Sequence, residues 1–224
     1  MSTALSSWEK KIMPDVPGVP YPAMIDAVRD ACIEFCKETW LYTYDLDRIS
    51  IVAETQSYTL TVPTAAYGEI IAADEVKYKQ DGLDDDQFVT LNPLSVEDKE
   101  RAYGASWIFQ TAPTPSEFWL GSDKTLYLHR IPTVASAEGL LVKVILKPAE
   151  DCTTVPDFLW TDHRDTIASG AKADLLSRKG MPWYDPQLSG AFKAMFTNGY
   201  NNAKMIKAVG YTTRPLRVRM REWL

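Results

Sequence analysis

Residues 21–40 read Tyr-Pro-Ala-Met-Ile-Asp-Ala-Val-Arg-Asp-Ala-Cys-Ile-Glu-Phe-Cys-Lys-Glu-Thr-Trp. Apolar or small side chains recur there at three- and four-residue spacing, at Ile25, Val28, Cys32, Phe35 and Thr39. Charged residues mark the opposite face, so the pattern predicts an amphipathic helix that begins at about Pro22, a residue suited to the first helical turn. No neighbouring segment offers this apolar face a partner. We therefore expect helices from another part of the chain to cover it.

Two further helices are predicted near the C-terminus. The first follows Val155-Pro156, with Asp157 or Thr161 as its N-cap, and ends near Lys179-Gly180. Its apolar face is formed by Ile167, Ala168, Ala171, Leu175 and Leu176.

The second of these helices begins at Asp185-Pro186, a capping residue followed by a proline, and ends at Gly210. The short connection at residues 181–184 predicts that the two pack antiparallel. With the first helix they are expected to form a three-helix layer from residues 22–41, 157–180 and 185–210.

The middle of the chain, from about Asp45 to Glu150, has β character. Short runs rich in Val, Ile, Thr and aromatic residues alternate with Gly, Pro and Asp turns, which predicts an antiparallel sheet or small sandwich. The predicted strands are Ser50–Ala53, Ser57–Val62, Glu69–Lys79, Gln87–Leu91, Glu117–Leu120, Thr125–Ile131 and Leu140–Leu146. The expected fold class is α+β, with an antiparallel β subdomain inserted between the first and second helices.

Both ends of the chain are expected to be extended. Pro14, Pro17, Pro20 and Pro22 deny the N-terminal segment backbone donors and favour an extended path. The predicted organisation is an extended segment at 1–21, a helical domain at 22–41 and 155–210, a β subdomain at 42–154 and an extended arm at 211–224.

The C-terminal arm is basic. Its arginines Arg217, Arg219 and Arg221 alternate with Val218, Met220 and Glu222, a period of two that suits a strand. Residues 204–224 carry +5 in a chain of net charge −6, so residues 1–203 carry −11. Such an arm could bind nucleic acid, a membrane surface or another subunit. Its interleaved apolar residues favour docking on a neighbouring protein.

Composition sets the remaining bounds. The apolar fraction of 46% indicates a folded protein, and no run approaches the roughly 20 apolar residues that span a bilayer. The N-terminus lacks the pattern of a signal peptide, so we expect the protein to stay in the cytosol where it is made. Three cysteines fit a reducing compartment better than a disulfide framework.

Four segments, in this order, resemble the head-to-tail adaptor proteins of tailed bacteriophages, also called neck or head-completion proteins. They are residues 21–40, then Val155-Pro-Asp-Phe-Leu159, Ala171-Lys-Ala-Asp-Leu-Leu176 and Met181-Pro-Trp-Tyr-Asp-Pro186. The resemblance covers both helical ends, while the β middle contributes no matching motif. It implies a ring, expected to be dodecameric, that docks under the portal protein, contacts tail or tail-completion proteins and continues the channel for genomic DNA without sequence-specific binding.

The same resemblance implies assembly in the host cytoplasm, a final location at the virion neck, and no role at a membrane. It implies that the arm reaches the portal. The residues expected at the portal or a neighbouring subunit are Arg214, Arg217, Val218, Arg219, Met220, Arg221 and Trp223. The alternatives are another ring-forming component such as a tail terminator, and a nucleic-acid-binding protein that uses the arginines.

Catalytic, cofactor and metal sites are not expected. His163 lies between Asp162 and Asp165, but this spacing does not place the three on one helical face, and the other histidine, His129, has no similar neighbours in sequence.

The three cysteines do not form the pattern of a complete metal site. Cys32 and Cys36 could hold a soft metal or pair with Cys152, but two ligands on one helix are half a zinc site. Buried thiols acting as small apolar groups are the simpler interpretation.

One loop is rich in aspartate, as calcium-binding loops are. Asp81, Asp84, Asp85 and Asp86 surround Gly82 but lack the alternation and closing glutamate of a calcium loop. They are interpreted as a solvated hairpin tip or, in a ring, as an acidic rim that faces the lumen and repels DNA phosphates.

Overall fold

The computed structural model describes residues 2–63, 68–80 and 87–210. The predicted acidic loop at 81–86 and the arm at 211–224 lie outside the described residues. The chain divides into two units, Met1–Leu41 with Pro148–Leu224, and Tyr42–Lys147. Helices and antiparallel sheets together make the protein α+β.

The helices of the described residues are α1 (Glu9–Ile12), α2 (Tyr21–Thr39), α3 (Val96–Tyr103), α4 (Asp157–Thr161), α5 (Arg164–Ser177) and α6 (Pro186–Val209). The strands are β1 (Ser2–Ala4), β2 (Thr43–Asp45), β3 (Ile49–Ile51), β4 (Ser57–Thr59), β5 (Gly68–Tyr78), β6 (Val89–Thr90), β7 (Asn92–Pro93), β8 (Thr111–Ala112), β9 (Glu117–Leu120), β10 (Thr125–His129), β11 (Ile131–Pro132), β12 (Ser136–Pro148) and β13 (Thr154–Pro156). Single 3-10 turns follow β1 and α3.

In the first unit, α2, α5 and α6 pack against one another. A Cβ built on Gly170 of α5 would lie 3.0 Å from the ring of Phe196 on α6 and 3.1 Å from Cβ of Ala31 on α2. The absence of a side chain at Gly170 therefore lets the Phe196 ring lie directly on the α5 backbone. Phe196 is fully buried, and its ring also meets Tyr200 edge to face at 5.4 Å.

The ends of α6 follow the sequence prediction. The Asp185 side chain accepts hydrogen bonds from the backbone N–H groups of Gln187 and Leu188, both at 3.0 Å. Gly210 ends the helix with a left-handed φ of +70°.

The predicted helix at 157–180 is instead two helices. It breaks after Thr161, and α5 begins at Arg164 with His163 as its N-cap residue. The break places the His163 ring 4.7 Å from the ring of Phe35. The His163 ring thus packs on α2 at the point where the predicted continuous helix is interrupted.

The N-terminal segment differs from the extended path that its prolines predicted. Residues 2–12 form β1, a 3-10 turn and α1, and Leu5, Trp8 and Ile12 are buried. Their spacing of three and four residues is helical, so they share one apolar face. Trp8 Nε1 donates a hydrogen bond to the carbonyl of Arg164 at 3.1 Å, which ties the segment to α5.

In the second unit, one sheet has the strand order β2-β12-β5-β6, with β3 also paired to β12, and another has the order β4-β10-β9-β7. Along β12, Leu140, Val142, Val144, Ile145 and Leu146 are buried. The predicted antiparallel sheets are confirmed, and two short parallel pairings, β7 with β9 and β8 with β11, add to them. These are two-residue pairings in which segments distant along the chain meet, so local turn signals do not reveal them.

Candidate functional site

The long helix α6 has two faces of different character. Its described buried residues, Phe196 and Ala203, face α5 and α2. Its charged residues are all lysines, Lys193, Lys204 and Lys207, and they lie beside the buried face.

These lysines bind α2. Lys193 Nζ lies 2.7 Å from Glu34 Oε1, and Lys204 Nζ lies 2.8 Å from Glu38 Oε2. Lys207 donates to the carbonyl of Trp40, the residue that caps α2 in a left-handed conformation. The three lysines of α6 therefore form contacts within the same chain, with α2 and its C-terminal residue Trp40.

The opposite face of α6 is exposed and carries no charge. Apolar, small and amide side chains recur there at three- and four-residue spacing over the length of the helix. They are Leu188, Ala191, Met195, Asn198, Asn202 and Met205. Met195 is 59% exposed and Met205 is 65% exposed. We call these six residues the α6 outer face.

A soluble helix face that is fully hydrated usually carries charged residues, and the centres of protein interfaces are depleted of them. The α6 outer face has the composition of an interface centre.

The predicted arm and acidic-loop residues lie outside the described residues. They are Arg214, Arg217, Val218, Arg219, Met220, Arg221, Trp223, Asp81, Asp84, Asp85 and Asp86. Their roles stay predictions.

The residues around His163 do not come together as a site. Asp165 Oδ1 pairs with Lys11 Nζ at 2.9 Å, and this hydrogen bond lowers the pKa of the Asp165 carboxyl. Burial lowers the pKa of His163, against a smaller opposing effect of Asp162. His163 is thus a half-buried ring of the helical core, in contact with Phe35.

The three cysteines are free thiols. Cys32 and Cys36 are fully buried, and burial raises the pKa of each well above its ordinary value. Burial also raises the pKa of the partly exposed Cys152. Among the described residues, no group of three His, Cys, Asp or Glu side chains is placed to hold a metal ion.

A different polar cluster lies in the second unit, and sequence reasoning missed it. His129 on β10 is only 4% exposed, and its Nδ1 lies 2.7 Å from Oε2 of Glu117 on β9. The same carboxylate oxygen lies 2.9 Å from Nζ of Lys99 on α3. The Trp107 ring meets the His129 ring edge to face at a centroid distance of 5.1 Å. We call Lys99, Glu117 and His129 the β9–β10 cluster.

Electrostatics within the β9–β10 cluster favour an ionised carboxylate. Burial alone would raise the pKa of Glu117, but hydrogen bonds from Lys99 and His129 outweigh it and lower that pKa. An ionised carboxylate can only accept, so Nδ1 of His129 carries a hydrogen and donates it to Glu117.

The sequence alone does not identify this pair. Glu117 and His129 lie six residues on either side of Asp123, and the hairpin register places them directly opposite each other. A count outward from the predicted strand ends, Leu120 and Thr125, pairs Glu117 with Leu128 instead, so only the observed register joins Glu117 to His129. His129 has no similar neighbours in sequence, and the pairing of β10 with β9 brings Glu117 to it.

Comparison with protein-family models finds no match to this chain, and comparison with curated proteins finds none either. The part of the chain that the structure describes holds no helix long and apolar enough to cross a bilayer.

Proposed function

We propose that this protein is a head-to-tail adaptor of a tailed bacteriophage. It is a virion structural protein that forms a ring, expected to be dodecameric, beneath the portal. The ring continues the DNA channel toward the tail without sequence-specific contacts. The protein assembles in the host cytoplasm and functions at the virion neck, with the portal and tail-completion proteins as its partners.

The α6 outer face carries this proposal. The α6 outer face spans residues 188–205, about 27 Å of helix, and an uncharged face of that length offers a continuous surface to a partner. Exposed apolar side chains grouped in this way are typical of interaction sites. We assign the face to the neighbouring copy of this chain, because a ring needs a contact that repeats at every subunit.

The order of elements supports the same function. In the proposed arrangement, α2, α5 and α6 form the helical layer of the ring, and the β subdomain lies between α2 and α4 in the chain. The lysines of α6 bind Glu34, Glu38 and Trp40 of the same chain, which leaves the outer face free of charge.

The first test adds one charge to the outer face. Met195→Lys should prevent ring formation when the protein is mixed with portal, because the interface would then bury an unpaired ammonium group. The control Met195→Leu keeps an apolar side chain of similar volume at the same position. Negative-stain images of both mixtures give the result, and equal ring formation by the two variants would contradict the assignment of this face.

The second test separates the adaptor from a DNA-binding protein. Removal of residues 211–224 should abolish capture by portal-bearing capsids while the body stays folded. Replacing Val218, Met220 and Trp223 with Ser should impair capture about as much as replacing Arg217, Arg219 and Arg221 with Gln.

A duplex-DNA shift assay at several salt concentrations is run beside the capsid assay. Phosphate binding depends on the arginines alone and falls steeply with salt. If only the arginines matter, and capture falls in step with DNA affinity, the arm binds nucleic acid and the adaptor role of the arm is wrong.

A further inference from the structure

The α6 outer face presents apolar side chains to water in the isolated subunit. Leu188, Met195 and Met205 are 39%, 59% and 65% exposed. Apolar residues grouped in this way mark either an interaction site or a surface that favours aggregation. In the proposed ring the neighbouring copy covers this face. A free subunit has no neighbouring copy to do so.

The chain itself continues directly past this face. Helix α6 ends at Gly210, whose left-handed φ of +70° turns the chain out of the helical path, and the 14 residues of the arm follow. At about 3.3 Å per residue, an extended arm reaches about 46 Å. Gly210 is 22 positions after Leu188, about 33 Å along the helix. The arm is therefore long enough to run antiparallel to α6 over the whole outer face.

The sequence of the arm fits this face. In an extended strand its apolar and basic residues share opposite sides, with Leu216, Val218 and Met220 on one and Arg217, Arg219 and Arg221 on the other. Counted from Gly210 at the same rise, the three apolar residues fall about 20–33 Å back along α6. That distance corresponds to about residues 188–197 of the helix, which include Leu188 and Met195. The apolar side of the arm thus meets the apolar part of the face.

The charges also favour this contact. The arm carries +3, so residues 1–210 carry the difference between −6 and +3, which is −9. Opposite net charges attract over long range. The lysines of α6 would repel the arginines, but they are bound by Glu34, Glu38 and the Trp40 carbonyl. Because the outer face is uncharged, an arm docked by its apolar side leaves its arginines in water and buries no unpaired charge.

We propose that in the free subunit the arm docks on the α6 outer face of its own chain, with Leu216, Val218 and Met220 against the helix. The contact is autoinhibitory, because the face cannot bind a second copy until the arm leaves it. This inference rests on the proposed function, which assigns the same face to the neighbouring copy and the same arm to the portal. Binding of the arm to the portal uncovers the face, so subunits associate only where a portal is present.

The test measures how accessible the arm is in the free, full-length protein. An arginine-specific protease cleaves after Arg217, Arg219 and Arg221 when the arm is undocked, and mass spectrometry follows the released peptides. Met195→Lys should speed this cleavage about tenfold, because the rate follows the undocked population and the docked state would bury an ammonium group. The substitution adds no site for this protease.

Val52→Lys is the matched control. Val52 is 59% exposed, as Met195 is, but it lies in the second unit. The same added charge should therefore change the cleavage rate of the arm less than about twofold, because a charge remote from the contact is screened.

Two results would overturn the proposal. Equal cleavage rates for the wild-type protein and Met195→Lys would show that the arm is not docked on α6. Protection that increases with protein concentration would show that the arm covers α6 of a second copy instead of its own. The assay contains no portal, so a failure of rings to form beneath the portal would refute the proposed function without changing these cleavage rates.

Discussion

The contact between Gly170 and Phe196 should set the stability of the helical unit. Phe196→Ala removes a fully buried ring, a change that typically costs about 3–5 kcal/mol of the free energy of unfolding. The adjacent Met195 is 59% exposed, so Met195→Ala should change that free energy by less than about 0.5 kcal/mol. Urea unfolding followed by circular dichroism measures both.

A double-mutant cycle tests the geometry itself. Gly170→Ala gains about 1 kcal/mol of helix propensity, but the new methyl lies 3.0 Å from the Phe196 ring, and such overpacking costs about 1–3 kcal/mol. The single variant should therefore lose about 0–2 kcal/mol. In the Phe196→Ala background the ring is gone and only the 3.1 Å contact with Cβ of Ala31 remains, so the same substitution should cost less than it does alone.

The expected coupling energy is then about 1–3 kcal/mol, well above the roughly 0.3–0.5 kcal/mol seen for independent sites. If Gly170→Ala has the same effect in both backgrounds, the ring does not lie on the α5 backbone, and the packing of α5 on α6 described here is wrong.

Three further outcomes follow from the first unit. Burial lowers the pKa of His163, so below about pH 6.5 the unfolded state binds a proton at this residue more readily than the folded state does. The free energy of unfolding should therefore decrease as pH drops below about 6.5. His163→Gln should reduce this decrease, measured by urea unfolding at several pH values. Cys32 and Cys36 should react with a thiol reagent only at the rate of unfolding, measured as released chromophore against denaturant concentration. Lys193→Gln should cost less than about 1 kcal/mol, and less still at high salt, because its pair with Glu34 is exposed.

The ends of the helices were predictable where the sequence states them locally. Asp185-Pro186 provides a capping carboxylate and a residue without a donor, and α6 begins there with both expected hydrogen bonds. Gly210 provides the left-handed residue that ends it. Such signals depend on the chemistry of two or three adjacent residues, so tertiary contacts do not overrule them.

Elements without an apolar periodicity were missed. Helix α3 has no buried residue, so no hydrophobic pattern marks it. Its N-terminus is marked only by Ser95, whose hydroxyl accepts from the N–H of Asp98 at 3.4 Å. The β9–β10 cluster was missed for the same reason. Its third member, Lys99, lies on α3, and the spacing of residues 99 and 117 in the sequence does not indicate that they are in contact.

The α6 outer face could have been predicted in part. Leu188, Met195 and Met205 are apolar residues that no sequence signal excludes from the core, and only the structure shows which apolar face of the helix is buried. Phe196 and Ala203 face α5 and α2, and the side of Met195 does not. A helix with apolar residues all round has two candidate core faces, and the choice between them is made by the partner helices.

The ion pairs of α6 also change how the basic end of the chain is understood. The net charge of +5 for residues 204–224 includes Lys204 and Lys207. Lys204 binds Glu38, however, and Lys207 binds the carbonyl of Trp40. The charge of residues 211–224 alone is +3, from four arginines and Glu222. The four arginines allow at most four phosphate contacts, fewer than the six to ten of a protein that depends on the DNA backbone for its affinity. Because each contact contributes about 0.9 to the slope of log K against log salt, the salt dependence of duplex binding should be shallow. With an acidic body beside it, such an arm is a weak ligand for DNA, and its interleaved apolar residues suit a protein surface better.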